Sequence, residues 1–524
     1  MKKYFNYIAI GAVALAAVSC EPDLSNPIDE QGYYSNGQAD FSNYVALGNS
    51  LTAGYADGAL YLTGQENSYP SILAHQFSLV QNTEEFTQPL VNDNAGGLLL
   101  GGNKIADTRY VLAVDANNNP YPARYGEQPT TEVTNKLEGP FNNMGVPGAK
   151  VYHLVAPGYG NVAGVAGGLA NPYFARFATS DQTTVLADAM AENPTFFSLW
   201  IGNNDVLGYA TSGGVGTDQA NNTDPSTYGQ NDITDPNVFA ASYQAIVEGM
   251  ISAGAEEGAL INIPDVTTVP YFTTVPNNAL DLTAEQAGQL TGYFQAVAGV
   301  FTQVLMQQGI PAEQAQAIAG QYKLTFNEGP NRFIIDVPKT QTNPLGFRQM
   351  TAEELLVLTI NQSALAQQGY GSVAITPEVM QVLGVLQQGG QPTEEQVGLL
   401  FDAVNGIDDG DVLDTEELQH IEAATTAYNQ TIAAIADAKG LALVDANAML
   451  KQLANGGISY DGGNINATFV TGGAFSLDGV HLTPRGYAVF ANELIKQINA
   501  TYNSDVPKVN PGDYATVTLN NNVQ

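Results

Sequence analysis

The chain has 524 residues, and only 13% of them are charged, against about 25% in ordinary globular proteins. Acidic residues outnumber basic ones by 52 to 17, so the net charge is −35 at pH 7. A surface that binds DNA or RNA needs clustered Lys and Arg to neutralise phosphates, and this balance argues against a nucleic-acid partner. A hydrophobic fraction of 44% is too high for a disordered polyelectrolyte, so we expect a folded acidic protein.

The first twenty residues have the pattern of an export signal. Lys2 and Lys3 precede an apolar run from Tyr7 to Val18, which is too short to span a bilayer. Cys20, the only cysteine of the chain, follows that run almost directly. The pattern looks like a bacterial lipoprotein signal, in which the cysteine becomes the lipidated first residue; cleavage by an ordinary signal peptidase, with Cys20 incidental, is the alternative.

This pattern predicts a signal peptide over residues 1–19 and a lipid anchor at Cys20. The protein would then be attached to a membrane of the bacterial cell envelope through lipid. We expect the outer membrane, with the periplasmic and the outer face both open. Residues 20–42 carry Pro, Gly, Ser, Asn and acids without an apolar period, which predicts a tether between lipid and domain.

Four continuous apolar runs predict strands that are buried on both faces, as in a parallel sheet. They are Tyr44–Leu47, Pro194–Ile201, Ala259–Ile263 and Leu441–Val444. Helical patterns lie between them: Val238–Ala253, an apolar stripe from Leu418 to Ile435, and a final helix that begins at Thr483-Pro484 with a capping Thr. The alternation predicts a three-layer α/β/α fold with a doubly wound parallel sheet.

The third and fourth runs are much farther apart than a normal crossover connection allows. We therefore expect residues 265–415 to be an insertion, which the pattern predicts to be mainly helical, with helices over Ala284–Gln308 and Thr351–Gln368. Residues 503–524 read as a polar, Asn-rich tail.

Ligands of open α/β sheets bind beyond the carboxyl ends of the strands, so the residues after each strand are candidates for a site. Ser50 follows the first strand and could be a nucleophile or only a helix cap. Gly148 lies in a glycine-punctuated turn, Asn143–Gly148, where its backbone N–H would be unobstructed. Asn204 follows the second strand; its amide could stabilise an oxyanion or simply cap the next segment.

Near the end of the chain, Asp478 and His481 are three residues apart across a turn that contains Gly479. This spacing lets the carboxylate bind one imidazole nitrogen and leaves the other to face a serine. Of the other histidines, His153 is a candidate for lining the site, whereas His75 and His420 are better explained as structural or solvated residues.

The four segments together resemble the SGNH, or GDSL-like, hydrolase family in identity and order. The family's Gly-Asp-Ser-Leu block corresponds to Gly48–Leu51, its second-block glycine to Gly148, its Gly-x-Asn-Asp block to Gly202–Asp205, and its Asp-x-x-His block to Asp478–His481. The resemblance covers residues 43–264 and 416–502. Asn49 departs from it, standing where the family usually has Asp. No Gly-x-Ser-x-Gly elbow occurs, which disfavours the α/β-hydrolase fold.

The resemblance implies that Ser50 is a nucleophile, His481 its general base and then acid, and Asp478 the residue that orients His481. It implies an oxyanion hole formed by the backbone N–H groups of Ser50 and Gly148 with the side chain of Asn204, and it implies no metal or organic cofactor. We accordingly expect a serine esterase that hydrolyses acyl or acetyl esters of lipids or carbohydrates through an acyl-enzyme. The alternative is a non-catalytic envelope lipoprotein that binds a ligand on the same fold.

The acidic stretch Asp408–Glu417 invites comparison with a calcium loop. Its acids do not follow the EF-hand spacing, and an acidic helix start explains them better. We expect no metal there.

Overall fold

The computed structural model describes residues 34–367 and 369–524. The predicted signal peptide, Cys20 and most of the predicted tether lie outside the described residues. None of the helices in the described part of the chain combines the length and the apolar character needed to cross a membrane.

A five-stranded parallel sheet forms the centre of the molecule, so the protein is a mixed α/β structure, as predicted. Its strands in chain order are β1 (Tyr44–Gly48), β2 (Asn143–Gly145), β3 (Phe196–Trp200), β4 (Glu257–Ile261) and β5 (Ala442–Val444). Their spatial order is β5-β4-β3-β1-β2. The four strands predicted from apolar runs are confirmed, and every residue of β1 and β3 is buried.

The fifth strand, β2, corrects the prediction that Asn143–Gly148 is only a turn. Its three residues pair in parallel with β1, Gly145 opposite Gly48. A run of Asn-Met-Gly has no strand propensity of its own, and pairing with the buried edge of β1 is what makes it a strand. The turn proper begins at Val146, whose N–H donates to Gly48 O at 2.9 Å.

Helices pack against the sheet in two groups, each held together by aromatic rings. The main helices of the sheet region are α1 (Ser50–Ala53), α2 (Tyr69–Val80), α3 (Val185–Ala191), α4 (Asn204–Thr211) and α5 (Pro236–Ser252), followed after the insertion by α11 (Thr415–Lys439), α12 (Ala446–Ala454) and α13 (Pro484–Tyr502). In the group formed by α2 and α13, Phe490 stacks on Trp200 of β3 at 4.0 Å. In the group formed by α3, α5 and α11, Phe239 stacks on Tyr428 at 4.1 Å.

The α5, α11 and α13 helices confirm the three helical patterns predicted beside the strands. At the start of α13, Thr483 Oγ1 accepts a hydrogen bond from Gly486 N at 3.0 Å and Pro484 occupies the first helical position, as predicted. Four further short helices comprise Leu62–Glu66, Val162–Val165, Pro172–Ala175 and Pro270–Thr273.

The predicted insertion contains helices and short antiparallel ladders. Its helices are α6 (Ala284–Gln307), α7 (Ala312–Gly320), α8 (Gln362–Gln367), α9 (Pro377–Gln387) and α10 (Glu394–Asp402). The ladders pair Leu280–Leu282 with Gly329–Asn331, Ile334–Asp336 with Phe347–Gln349, Leu355–Leu356 with Val412–Leu413, and Ser372–Val373 with Val404–Asn405. The helices pack on a hydrophobic cluster of their own, which includes Phe294, Phe301, Tyr322, Phe347 and Leu400.

The prediction of one helix over Thr351–Gln368 is wrong for most of its length, because α8 begins only at Gln362. The cause is Glu354, which is fully buried and accepts hydrogen bonds from both Nη atoms of Arg348 and from Thr351 N. A buried carboxylate must be paired, and this pairing holds the segment as a loop and strand.

Two β-hairpins lie between α2 and β2, and the second of them pairs with the predicted polar tail. They pair Leu98–Leu100 with Asn103–Ala106 and Tyr110–Val114 with Pro120–Arg124; a third, Ile458–Tyr460 with Gly463–Ile465, follows α12. The tail runs along the second hairpin: Leu112 N donates to Thr518 O at 2.8 Å and Gln524 N donates to Arg124 O at 3.1 Å. Residues 503–524 are thus polar in sequence but packed by backbone hydrogen bonds.

The acidic stretch that begins at Asp408 ends in the N-terminal cap of α11. Asp414 accepts hydrogen bonds from Glu416 N and Glu417 N, and Glu417 accepts one from Asp414 N at 2.7 Å, which makes a reciprocal capping box. Burial, followed by the nearby carboxylates of Asp414 and Asp409, raises the pKa of Glu417 to about 8. Ionised Glu417 therefore destabilises the fold.

The variant Glu417→Gln should stabilise the protein more at pH 8 than at pH 5. A carboxyl whose pKa is raised by folding binds its proton more tightly in the folded state, so its contribution to stability is lost as pH rises from about 4 to about 8. Glutamine keeps the capping box and removes this effect. We expect the Tm gain over wild type to grow by at least about 2 °C between these pH values. Glu416→Gln, an exposed neighbour, is the control, and a Tm difference independent of pH would contradict the assignment.

Candidate functional site

The nucleophile candidate, Ser50, lies where β1 meets α1. Gly48 ends the strand, and a Cβ there would collide with Trp200 O and the side chain of Thr52, so only glycine fits. Asn49 is fully buried and caps α1, since its Oδ1 accepts a hydrogen bond from Leu51 N at 3.0 Å. The side-chain oxygen of Asn49 is therefore occupied by the cap. The N–H of Ser50 lies in the first turn of α1, where backbone N–H groups have no partner within the helix.

A continuous hydrogen-bonded chain joins Ser50, His481 and Asp478. Ser50 Oγ lies 2.9 Å from His481 Nε2, and His481 Nδ1 lies 2.8 Å from Asp478 Oδ2. With the proton on Nδ1 donated to the carboxylate, Nε2 is free to accept the serine proton. Three residues separated by up to 431 positions in sequence thus form one unit.

The turn after Asp478 fixes the carboxylate as the spacing predicts. Gly479 has φ +74°, and the turn it allows brings the N–H groups of Val480 and His481 to Asp478 Oδ1 at 2.9 and 2.8 Å. Burial raises the pKa of Asp478, but the charge of His481 and these hydrogen bonds outweigh it and hold the pKa well below the usual range for Asp. Asp478 is therefore ionised at any pH at which the protein would work.

The oxyanion candidates lie at the carboxyl ends of three neighbouring strands, β1, β2 and β3. Gly148 is exposed at φ +81°, just after β2, so its backbone is unobstructed. Asn204 opens α4 after β3, and its Nδ2 donates to Ala149 O at 2.9 Å. That bond fixes the amide beside Gly148 and leaves its second N–H for a ligand. The three candidates are thus gathered at one edge of the sheet.

The sequence predicted no role for Asp205 and Lys150, two buried charged residues near the Gly148 loop. Asp205 is fully buried and accepts from Val151 N at 2.9 Å, and burial raises its pKa to about 6. Lys150 is also buried, and burial lowers its pKa; its Nζ donates to Asp232 O. Asp205 stands in the Gly-x-Asn-Asp block, so the only signal was its place beside Asn204. Through these hydrogen bonds, Asp205 and Lys150 stabilise the segment that follows Gly148.

The remaining histidines do not join the chain to Ser50. His153 Nδ1 accepts from Lys150 N at 3.0 Å, and its ring stacks on Tyr159 at 4.4 Å. Burial lowers the pKa of His153 to about 3, so it is neutral and structural beneath the loop. His75 is exposed on α2. His420 lies on α11, and its Nδ1 is 3.3 Å from Tyr209 Oη on α4.

An apolar cavity of about 60 Å³ is lined in part by residues that adjoin Ser50 and His481 in the sequence. Leu51, which follows Ser50, lines it together with Val480 and Leu482, which flank His481. Its other walls include Trp200, Met449, Leu453 and Phe475. The cavity is small and its walls are apolar.

Residues of the predicted insertion reach the turn that carries Asp478. Tyr271 N donates to Gly479 O at 3.0 Å, and Tyr271 Oη donates to Thr211 O at the end of α4. A Cβ on Gly479 would lie 3.0 Å from Leu358 Cδ2. Tyr271 and Leu358 therefore form one wall beside the Asp478–His481 turn.

The chain was compared with protein-family models, with curated proteins and with solved structures. None of the three comparisons gives a match, so the site rests on its own geometry.

Proposed function

We propose that the protein is a serine hydrolase of carboxylic esters, built on a three-layer, doubly wound fold of the SGNH type. The observation that carries the proposal is the unbroken chain from Ser50 Oγ through His481 to Asp478, at 2.9 and 2.8 Å. The spatial strand order 2-1-3-4-5, which is that of flavodoxin-like sheets, supports the fold assignment. The four family-like segments stand together at the carboxyl edge of that sheet, and this supports it further.

In the proposed reaction, Ser50 Oγ attacks the ester carbonyl while His481 Nε2 takes the serine proton. The ionised Asp478 stabilises the imidazolium, and the oxyanion is held by the N–H groups of Ser50 and Gly148 and by Asn204. His481 then donates its proton to the leaving alcohol oxygen, which leaves an acyl-enzyme. Water, deprotonated by His481, attacks the acyl carbonyl, and collapse of that intermediate releases the acid and restores Ser50.

A fluorophosphonate probe separates this proposal from a binding protein that has no turnover. Wild-type protein should be labelled, and it should cleave a short-chain aryl ester. Ser50→Ala should abolish labelling and lower kcat by roughly 10⁴–10⁶-fold, since no other group can form the acyl-enzyme. Ser459→Ala, at an exposed serine, is the matched control. A wild-type protein that neither reacts with the probe nor cleaves the ester would favour the ligand-binding alternative.

The cavity beside Leu51 and Val480 leads us to expect a preference for short acyl groups. Because the cavity is small and its walls are apolar, we expect it to take an acetyl to butyryl chain in preference to a long one. Met449→Ala enlarges the cavity, and the ratio of kcat/KM for hexanoyl over butyryl esters should rise about tenfold or more.

The control for that experiment is Met380→Ala, at an exposed methionine of α9. An unchanged chain-length profile in Met449→Ala would place the acyl group elsewhere. A wild-type preference for long acyl chains would count against a short-chain esterase as a whole.

We also propose that Cys20 carries the lipid that attaches the protein to the cell envelope, on the strength of the sequence before it. Expressed in a bacterium, the wild-type protein should incorporate labelled palmitate and partition into the detergent phase. Cys20→Ser should lose both properties, because no other cysteine can take its place. Ser25→Ala in the predicted tether is the control, and palmitate that persists in Cys20→Ser would refute the anchor.

A further inference from the structure

A second buried carboxylate, Asp57, lies directly behind the triad acid. Asp57 N donates to Ser476 Oγ at 2.9 Å, and Ser476 Oγ in turn donates to Asp478 Oδ1 at 3.1 Å. Leu477 N donates to Asp57 Oδ1 at 3.0 Å, and Gly58 N donates to Asp478 Oδ2 at 2.8 Å. The loop around Asp57 thus contacts Asp478 Oδ2 directly, Asp478 Oδ1 through Ser476, and the backbone of Leu477 immediately before it.

Asp57 is anchored on its other side by an aromatic and a cation. Tyr61 Oη donates to Asp57 Oδ2 at 3.0 Å, and Arg109 Nη1 lies 3.8 Å from the same oxygen. The guanidinium of Arg109 lies over the Tyr61 ring at 4.7 Å, and its Nε donates to Asn94 O. Both Asp57 and Arg109 are more than nine-tenths buried, at 2% and 7% exposure. An ion pair sealed from solvent in this way resists displacement far better than a surface pair.

The chemistry of these contacts calls for a carboxylate at position 57. Leu477 N and Tyr61 Oη donate hydrogen bonds to it, the guanidinium of Arg109 lies 3.8 Å away, and an ionised carboxylate is the side chain that only accepts. An asparagine of the same size would turn an NH₂ group towards one of these donors. Burial and then Asp478 raise the pKa of Asp57 to about 6, so keeping two carboxylates this close has a cost. A residue with a merely space-filling role would not need that charge.

We propose that Asp57 is a positioning residue of the triad, which acts through Ser476 and Leu477 to hold Asp478 against His481. This inference rests on the proposed function, since it concerns how the same site is held. Asp57 touches no reacting atom; its charge, which faces Arg109, supports the segment Ser476–Leu477 that leads into Asp478. The groups that face Asp57 and that carry charge or titrate are Asp478, Arg109 and Tyr61.

The test is steady-state kinetics of Asp57→Asn with a short-chain aryl ester. We expect kcat to fall about 10- to 100-fold, because a small displacement of an orienting group is enough for such a loss, while KM stays within about twofold. The acid limb of the kcat/KM profile should move to lower pH, since one negative charge that favours the imidazolium is gone. Asp478→Asn sets the upper limit of the effect at roughly 10⁴-fold.

Asp188→Asn is the matched control. Asp188, on α3, is also a buried carboxylate, 4% exposed, and it accepts hydrogen bonds from Thr179 and Thr183. It should lower Tm without a change in kcat or in the pH profile. If Asp57→Asn does not fold, Arg109→Lys and Arg109→Met replace it. Lysine keeps the charge and should retain most of the activity, whereas methionine should lose about as much kcat as expected for Asp57→Asn.

A readout that does not depend on turnover is the low-field proton resonance of the His481 Nδ1–H bound to Asp478. It should shift or broaden in Asp57→Asn and stay unchanged in Asp188→Asn. Wild-type kcat, pH profile and resonance in Asp57→Asn would overturn the inference and leave the proposed function intact. A wild-type protein without labelling or turnover would defeat the proposed function itself, so the two failures are distinguishable.

Discussion

The carboxylate of Asp478 is the point at which distant parts of the chain are joined. It accepts hydrogen bonds from its own turn, from His481, from Ser476 and from Gly58, a residue 420 positions earlier. Because a buried carboxylate is costly unless its acceptors are filled, this set of donors has to form together or not at all. The geometry around Ser50 therefore depends on the complete pairing of Asp478 and not on a local motif.

The sheet explains why this pairing is possible. β1 lies between β2 and β3, so the residues that follow these three strands lie at one edge, and Ser50, Gly148 and Asn204 are among them. The α13 helix packs against α2 and places the turn that precedes it above the same edge. The sheet supplies the positions of the chemical groups, whereas Tyr271 and Leu358 from the long insertion form the wall beside them. Changes in the insertion could therefore alter this wall without altering the hydrogen-bonded chain from Ser50 to Asp478.

Sequence reasoning succeeded where the physical signal is local. Buried parallel strands are continuous apolar runs, and the Thr-Pro start of α13 is a capping pattern, so both were predictable. It failed where a tertiary contact decides the outcome. Asn143–Gly145 is a strand only because β1 offers an edge, and Glu354 turns a helical pattern into a loop only because Arg348 is near. Near the candidate site, Asp57 belongs to no motif, because its contacts with Ser476 and Leu477 join residues 419 and 420 positions apart.

The order of the site residues along the chain has a consequence for biosynthesis. Ser50 and Gly148 leave the ribosome early, but His481 lies 431 residues after Ser50. At about 5–20 residues per second, that interval takes roughly 20–90 s. During this interval the early strands can pair, but Ser50 has no imidazole to accept its proton. If the chain is exported unfolded, as the predicted signal peptide implies, the proposed site is complete only after nearly all of the chain has been delivered.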